Sequence, residues 1–136
     1  RYAQLLWDTT LRPLDNPTKV VHFNGPKYCE WQRLARIGDL GGKRRRLILH
    51  LINPPVDDLS LHNFAAKMPP PVRNLELGLT LPPDAQITGA YSLTPWRDSN
   101  PIALTAAKNG GDTQVTIPEI RLWNMVVIDY TSAQAL

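Results

Sequence analysis

The stretch Leu75-Glu76-Leu77-Gly78-Leu79-Thr80-Leu81 carries the clearest structural signal in the chain. Leucine alternates there with glutamate, glycine and threonine, so an extended segment has one apolar face. This period of two predicts a β-strand that buries one side. The turn signal Pro82-Pro83-Asp84 follows, and the alternation continues over Gln86–Ser92.

Further strand candidates lie on both sides of this stretch, and turn residues separate them. They are Lys19–Phe23, Glu30–Ile37, Arg45–Asn53, Ala103–Ala107, Gln114–Ile117 and Glu119–Tyr130, with Pro118 interpreted as a break between the last two. Glycine turns are predicted at Asp39–Lys43 and Asn109–Asp112. About eight short strands with turns between them predict an all-β fold, an antiparallel β-sandwich of Greek-key or jelly-roll type.

The first residues follow a different period. Apolar side chains, among them Leu5 and Leu6 with Trp7 beside them, recur at helical spacing. We therefore expect a short N-terminal helical segment. Residues 1–14 are interpreted as the end of a helix or linker from an upstream domain, and residues 15–136 as the sandwich. Leu5, Leu6 and Trp7 are the candidates for contact with that upstream domain.

The sequence lacks the patterns that carry common catalytic or metal chemistry. It has no Gly-x-Ser-x-Gly elbow, P-loop or dinucleotide fingerprint. The candidate metal ligands lack the short paired spacings of zinc sites; they are His22, Cys29, His50 and His62. Adjacent carboxylates such as Asp57 and Asp58 do not flank a sugar ring from opposite faces. We expect no catalytic residue, no metal, no cofactor and no enzymatic activity in this chain.

Aromatic residues offer one candidate binding site. Trp96 lies in a loop beside Arg97 and Asp98, where the ring could stack on a sugar and the charged groups could bind its hydroxyls. The alternative is that Trp96 covers an end of the sandwich. Trp123 is interpreted as a core residue, and His50, which lies between two leucines, as a hydrogen-bonded core histidine.

Charge and hydropathy limit the expected partners. Fifteen basic and twelve acidic residues give a net charge of +3, concentrated at Lys43–Arg46. A solvated hairpin tip explains that run better than a nucleic-acid interface, which has a wider basic face with aromatic residues. No apolar run approaches the ~20 residues of a membrane span, so neither nucleic acid nor a membrane is expected. With Cys29 as the single cysteine and no expected signal peptide, the localisation stays open between cytoplasmic and secreted.

Several segments resemble one group of domains. Leu47-Ile48-Leu49-His50-Leu51-Ile52-Asn53 resembles the hydrophobic-His-Leu-Ile/Val-Asn strand of C-terminal β-domains appended to TIM-barrel glycoside hydrolases. Ile117–Ile128 is similar to the terminal strand of these domains, and Arg1–Asp8 to the last barrel helix before them. The loop at Trp96-Arg97-Asp98 resembles the bacterial dextranase and cycloisomaltooligosaccharide glucanotransferase group in particular.

The resemblance implies a β-sandwich that packs on an upstream catalytic barrel of the same polypeptide. The family's catalytic carboxylates belong to the barrel, so none is expected here. Three functions follow as hypotheses. The leading one is a non-catalytic C-terminal accessory domain that stabilises a glycoside hydrolase. The second is a carbohydrate-binding module that binds polysaccharide through Trp96, Arg97 and Asp98, and the third is a basic-patch binder of nucleic acid or acidic surfaces.

Overall fold

The computed structural model describes residues 5, 8–25, 35–54, 69–95 and 100–136. Within these ranges the chain forms ten strands and a four-residue helix, and Leu5 is also helical. The helix, α1, is Pro17–Val20. The strands are β1 (Arg12–Pro13), β2 (Val21–Phe23), β3 (Ala35–Asp39), β4 (Arg44–Ile52), β5 (Val72–Leu79), β6 (Gln86–Leu93), β7 (Ile102–Ala103), β8 (Thr105–Asn109), β9 (Asp112–Ile120) and β10 (Trp123–Thr131).

The strands form two sheets. The six-stranded sheet has the order β1-β3-β4-β10-β6-β7, and the four-stranded sheet the order β2-β5-β9-β8. Every pairing is antiparallel. This confirms the predicted all-β antiparallel sandwich. Ten strands replace the expected eight because β1 was not predicted and one predicted strand is divided in two.

The core lies between the two sheets. Residues at every second position of β4 and β5 meet there and are at most 4% exposed; they are Leu47, Leu49, Leu51, Leu75, Leu77 and Leu79. β9 and β10 contribute Val115, Ile117, Val126, Ile128 and Tyr130 to the same cluster. The period of two in the leucine-rich stretch is therefore the signature of one buried sheet face.

The chain passes from one sheet to the other at Leu104. β7 pairs with β6 in the six-stranded sheet, whereas β8 pairs with β9 in the four-stranded sheet. Between them, the backbone N–H of Leu104 donates to the carbonyl oxygen of Ala90 at 2.9 Å. The single strand predicted over Ala103–Ala107 is thus two strands, because local periodicity does not reveal a change of partner.

Pro118 does not break the last strands as predicted. β9 runs through it to Ile120, and the turn falls at Arg121 and Leu122. Pairing with β5 holds at Ile117 and Glu119 but skips Pro118 and the opposite Asn74, whose φ is 51°. A local irregularity opposite the proline accommodates the missing N–H without ending the strand.

The predicted strand at Lys19–Phe23 is half wrong. Its first two residues belong to α1, and only Val21–Phe23 is extended. Pro17 lies in the first turn of α1, where a missing N–H costs nothing and the fixed φ favours the helix. The proline therefore outweighs the strand preference of the residues that follow.

Residues just before α1 pack on the sandwich. β1 pairs with β3, the N–H of Leu14 donates to the carbonyl oxygen of Ala35 at 3.0 Å, and Leu14 lies in the main core. A strand and a core leucine thus precede the expected boundary after residue 14. The division of the chain at that position stays a prediction.

Asn53 ties three connections together at one end of the sandwich. Its side-chain Nδ2 donates to the carbonyl oxygens of Pro70 at 3.0 Å and Arg121 at 2.8 Å, and its backbone N–H donates to that of Leu122 at 2.8 Å. The residue is fully buried. The asparagine that ends the His-Leu-Ile-Asn segment therefore joins the end of β4 to the start of β5 and to the β9–β10 turn.

Candidate functional site

The outer face of the six-stranded sheet carries a second apolar layer, separate from the core. Its strand residues point away from the four-stranded sheet, Leu5 and Leu11 lie over them, and each member is at most 9% exposed. They are Leu5, Leu11, Ile48, Leu93, Met125 and Val127. Because the solvated face of an antiparallel sheet is normally polar, this outer face behaves as an interior surface.

Leu5 is the described member of the predicted interdomain set, and it covers this outer face. It is helical and packs in the same cluster as Ile48 and Val127. Leu6 and Trp7 lie outside the described residues. Contact of all three residues with another domain stays a prediction.

Arg46, Asp129 and Gly89 stand side by side across β4, β10 and β6 on this face. Nε of Arg46 donates to Oδ1 of Asp129 at 2.6 Å, and Nη2 donates to Oδ2 at 2.8 Å. This bidentate pair raises the pKa of Arg46. Nη1 of Arg46 has no acceptor among the described residues.

Asp8 supplies a carboxylate near this pair. Its Oδ1 accepts hydrogen bonds from the hydroxyl and the backbone N–H of Thr10. These bonds, together with the charge of Arg46, lower the pKa of Asp8. The carboxylate is therefore ionised at neutral pH, and its Oδ2 accepts no hydrogen bond from the part of the chain that the structure describes.

Asp8 and Arg46 line a pocket of about 620 Å³ together with Leu5 and residues of β6 and β7. Gly89, Tyr91 and Ala103 are among the other lining residues. Among the described residues, a Cβ added to Gly89 would make one ordinary contact, with the Cβ of Asp129 at 3.8 Å, so a small side chain would fit beside Asp129. The volume falls within the ~300–1,000 Å³ typical of small-molecule sites.

Comparison with solved structures finds this architecture within larger chains. A cycloisomaltooligosaccharide glucanotransferase from Paenibacillus sp., in complex with cycloisomaltoheptaose, matches 93% of this chain with a TM-score of 0.70 and 24% identity. α-L-Fucosidase isoenzyme 2 from Paenibacillus thiaminolyticus matches 86% of it with a TM-score of 0.55 and 21% identity. The chain shares its fold with parts of two glycoside hydrolases.

Those parts are small. The matched region is 19% of the glucanotransferase chain and 16% of the fucosidase chain. At this level of identity the likeness shows the fold alone. The sequence matches no protein-family model and no curated protein.

His50 and Trp123 form a half-buried pair on the same outer face. Their rings stack with centroids 5.5 Å apart, and Nε1 of Trp123 donates to Nδ1 of His50 at 3.2 Å. Burial, assisted by the positive charge of Arg36, lowers the pKa of His50. His50 is thus hydrogen-bonded as expected, but it faces outward, and Trp123 packs beside it rather than in the core.

The sugar-binding residues predicted from the sequence, Trp96, Arg97 and Asp98, lie outside the described residues. The same holds for Asp57, Asp58, Cys29 and His62. Among the residues that the structure does describe, no group of three His, Cys, Asp or Glu side chains is placed to hold a metal. In those ranges no helix has the length and hydropathy needed to cross a membrane.

Two of the four basic residues in the run at the β3–β4 hairpin, Arg45 and Arg46, have carboxylate partners. Nη1 of Arg45 donates to Oδ1 of Asp39 at 2.9 Å, Nη2 of Arg44 donates to the carbonyl oxygen of Leu40, and Arg46 is paired as described above. Only about one-eighth of the Arg45 side chain is exposed (13%). The expectation that this run binds no nucleic acid stays a prediction.

Sequence reasoning missed the pocket residues. Arg46 was assigned to a hairpin tip, and Gly89 and Tyr91 to an ordinary strand. The signal that was available is Gly89 itself, because a glycine inside a strand pattern often marks a place where something approaches the backbone closely.

Proposed function

We propose that this chain is a non-catalytic accessory domain of a larger glycoside hydrolase, where it packs on the catalytic domain and stabilises it. The observation that carries the proposal is the match of 93% of the chain to 19% of a glucanotransferase at a TM-score of 0.70. A second match, to 16% of a fucosidase, supports a domain that recurs beside different catalytic units.

The outer face of the six-stranded sheet is the side on which we place the catalytic domain. It carries the apolar layer and the segment around Leu5, which in the proposed parent follows the catalytic domain along the chain. Interdomain interfaces within one chain bury roughly 600–1,500 Å². Because the apolar layer is already at most 9% exposed in this chain, the catalytic domain would contact the segment that covers the layer. Leu5, Leu6 and Trp7 are the residues we assign to this junction.

The chemistry of the parent comes by analogy with the two structural neighbours. One is a glucanotransferase in complex with a cyclic isomaltooligosaccharide, and the other is a fucosidase. We infer a parent that acts on glycosidic bonds with carboxylates that lie outside this chain, because such chemistry needs two carboxyl groups held about 5–10 Å apart across a sugar.

The mass of the native polypeptide tests this proposal. An antibody raised against the 136-residue chain, used on denatured extract and culture medium of the source organism, should detect a protein several times heavier than 15.3 kDa. A band near 15.3 kDa would contradict the accessory-domain proposal, because the chain would then act alone. In a heavy parent, deletion of this domain should lower the melting temperature of glycosidase activity.

A carbohydrate-binding role through Trp96, Arg97 and Asp98 is a second proposal from the sequence resemblance. Affinity electrophoresis in gels that contain dextran, starch or xylan tests it. Retardation of the wild-type chain that is lost in Trp96→Ala supports this role, and equal migration of both proteins in every gel rules it out.

A further inference from the structure

We propose that the outer-face pocket between Asp8, Arg46 and Tyr91 binds a neutral saccharide. The described lining residues do not include Trp96, Arg97 or Asp98, and the proposal goes beyond the accessory role, which needs no ligand. The proposal rests on three properties of the described lining residues: their unused hydrogen-bonding groups, their charge balance and their apolar surface.

The unused groups form a complementary pair. Nη1 of Arg46 offers two N–H donors, and Oδ2 of Asp8 offers lone pairs that no described residue uses. A hydroxyl group both donates and accepts a hydrogen bond. A sugar with neighbouring hydroxyls can therefore accept from the guanidinium with one and donate to the carboxylate with another.

The charge balance selects against charged anions. The positive charge of Arg46 is already matched by Asp129 through two short hydrogen bonds, and Asp8 adds a second carboxylate to the pocket wall. A phosphate or carboxylate ligand would approach a site with one excess negative charge. A neutral polyhydroxyl compound keeps the hydrogen bonds without that repulsion.

The rest of the pocket suits the C–H face of a sugar ring. Gly89 has no side chain to fill the pocket, Ala103 and Leu93 are apolar, and Tyr91 adds an aromatic ring to the lining. An apolar surface with a few convergent polar groups is the usual composition of small-molecule sites. The arrangement matches a pyranose ring, which has an apolar face and a polar edge.

Two cross-strand rows on the outer face of the sheet position Arg46 and Tyr91. Arg46, Asp129 and Gly89 form one cross-strand row, and Ile48, Val127 and Tyr91 form the next. Ile48 and Val127 are almost fully buried, so the row beneath the site is well packed. The donors and the aromatic ring are thus positioned by strands rather than by loops.

Titration of the ¹⁵N-labelled 136-residue chain with isomaltotriose, maltotriose and cellotriose tests the proposal. At least one trisaccharide should shift the backbone amide signals of Gly89, Tyr91 and Ala103, and it should do so saturably. The variant Gly89→Val adds a side chain to the pocket and should weaken this binding by about tenfold or more, because the ring can no longer reach the sheet. Valine suits a strand, so the variant should keep the wild-type melting temperature.

Gly111→Val is the matched control. Gly111 lies in the β8–β9 turn with nothing within 4 Å of an added Cβ, so this variant should bind like the wild type. The proposal is overturned if no trisaccharide shifts these amides, or if Gly89→Val binds as well as Gly111→Val. It is also overturned if ethylammonium, a small cation, produces the shifts and the sugars do not.

The two proposals fail independently. If the pocket binds no saccharide, the accessory-domain proposal remains intact, because that proposal depends on the mass of the native polypeptide. A native protein near 15.3 kDa would contradict the proposal of a larger parent enzyme, but it would not affect the saccharide titration of the pocket.

Discussion

The outer faces of the two sheets differ at equivalent positions. On the six-stranded sheet, Ile48 and Val127 lie next to each other on β4 and β10, and they are 1% and 0% exposed. On the four-stranded sheet, the corresponding cross-strand row of Glu76, Thr116 and Thr105 is exposed. One sandwich thus has one face exposed to solvent and one covered by residues of this chain, Leu5 and Leu11 among them.

This difference sets apart the face on which we propose that function resides. A stable two-sheet core requires apolar residues only between the sheets. The extra apolar layer on the six-stranded sheet is surplus to that requirement, and the pocket, the Arg46–Asp129 pair and the His50–Trp123 pair all lie on the same face. The four predictions below test the contrast between the faces.

The largest effect is expected from a charge in the apolar layer. Val127→Asp buries a carboxylate without a cation and should lower the free energy of unfolding by about 3 kcal/mol or more. The matched variant Thr116→Asp on the exposed face should cost about 1 kcal/mol or less. Urea unfolding followed by circular dichroism measures both. Equal losses would show that the two faces do not differ.

Truncation of Leu5, which covers the outer face, should have the next largest effect on the free energy of unfolding. Leu5→Ala takes a side chain that is 9% exposed from the outer-face cluster and should cost about 2 kcal/mol. Glu76→Ala, on the other face, should stay within about 0.5 kcal/mol of the wild type. If Leu5→Ala leaves the unfolding midpoint unchanged, the first residues do not belong to the folding unit, and the boundary at residue 14 gains support.

A pH dependence should distinguish the histidines of the two faces. The pKa of His50 is lowered from 6.5 by burial and by Arg36, so the unfolded chain binds a proton that the folded chain resists. Neutral His50 therefore costs no stability above pH 6.5. As the pH drops through 6.5 toward the folded pKa of His50, the free energy of unfolding falls.

The comparison of two variants isolates this contribution. The loss of stability between about pH 7.5 and pH 5.5 should be smaller in His50→Gln than in the wild type. In His22→Gln, which changes an exposed residue of β2, it should persist because His50 is intact. An unchanged loss in His50→Gln would assign the effect to other groups.

The smallest effect is expected inside the core. The hydroxyl of Tyr130 is buried and has no hydrogen-bond partner among the described residues, and desolvation raises its pKa to about 12. Tyr130→Phe should therefore lie within about 1 kcal/mol of the wild type at neutral pH, or above it.

Alkaline pH provides the check on Tyr130. Wild-type stability should fall as the pH rises from about 10 toward about 12, because the tyrosine ionises first in the unfolded chain. Tyr130→Phe should lose less over the same range. A large loss of stability in Tyr130→Phe at neutral pH would instead reveal a hydrogen bond that the hydroxyl makes.

The sandwich and its longest strands could be predicted because one-sided burial leaves a local record. The leucines of Leu75–Leu81 and the apolar runs around Leu47 and Val126 alternate with the period of the sheet, and β4, β5 and β6 lie within a few residues of the predicted segments. Errors arose where structure depends on a distant partner. Pro118 is tolerated inside β9 because Asn74 on β5 changes conformation opposite it.

The pocket could not be predicted for the same reason. Arg46 and Asp129 meet because β4 pairs with β10 in a particular register, and no local pattern encodes that register. Gly89 was a visible hint, but its meaning depends on the neighbours across the sheet. The residues that were predicted to bind sugar, Trp96 to Asp98, lie outside the described ranges and stay untested.

The position of β10 has a consequence for biosynthesis. β10 is the last strand along the described chain, yet it lies between β4 and β6 at the centre of the larger sheet. On the ribosome, β4 and β6 emerge before β10. The strand edges that pair with β10 therefore stay unpaired until β10 leaves the exit tunnel. Such non-local pairing slows folding and exposes the nascent chain to aggregation. Completion of this domain must therefore follow its translation, and chaperone contact during synthesis should concentrate on the unpaired edges of β4 and β6.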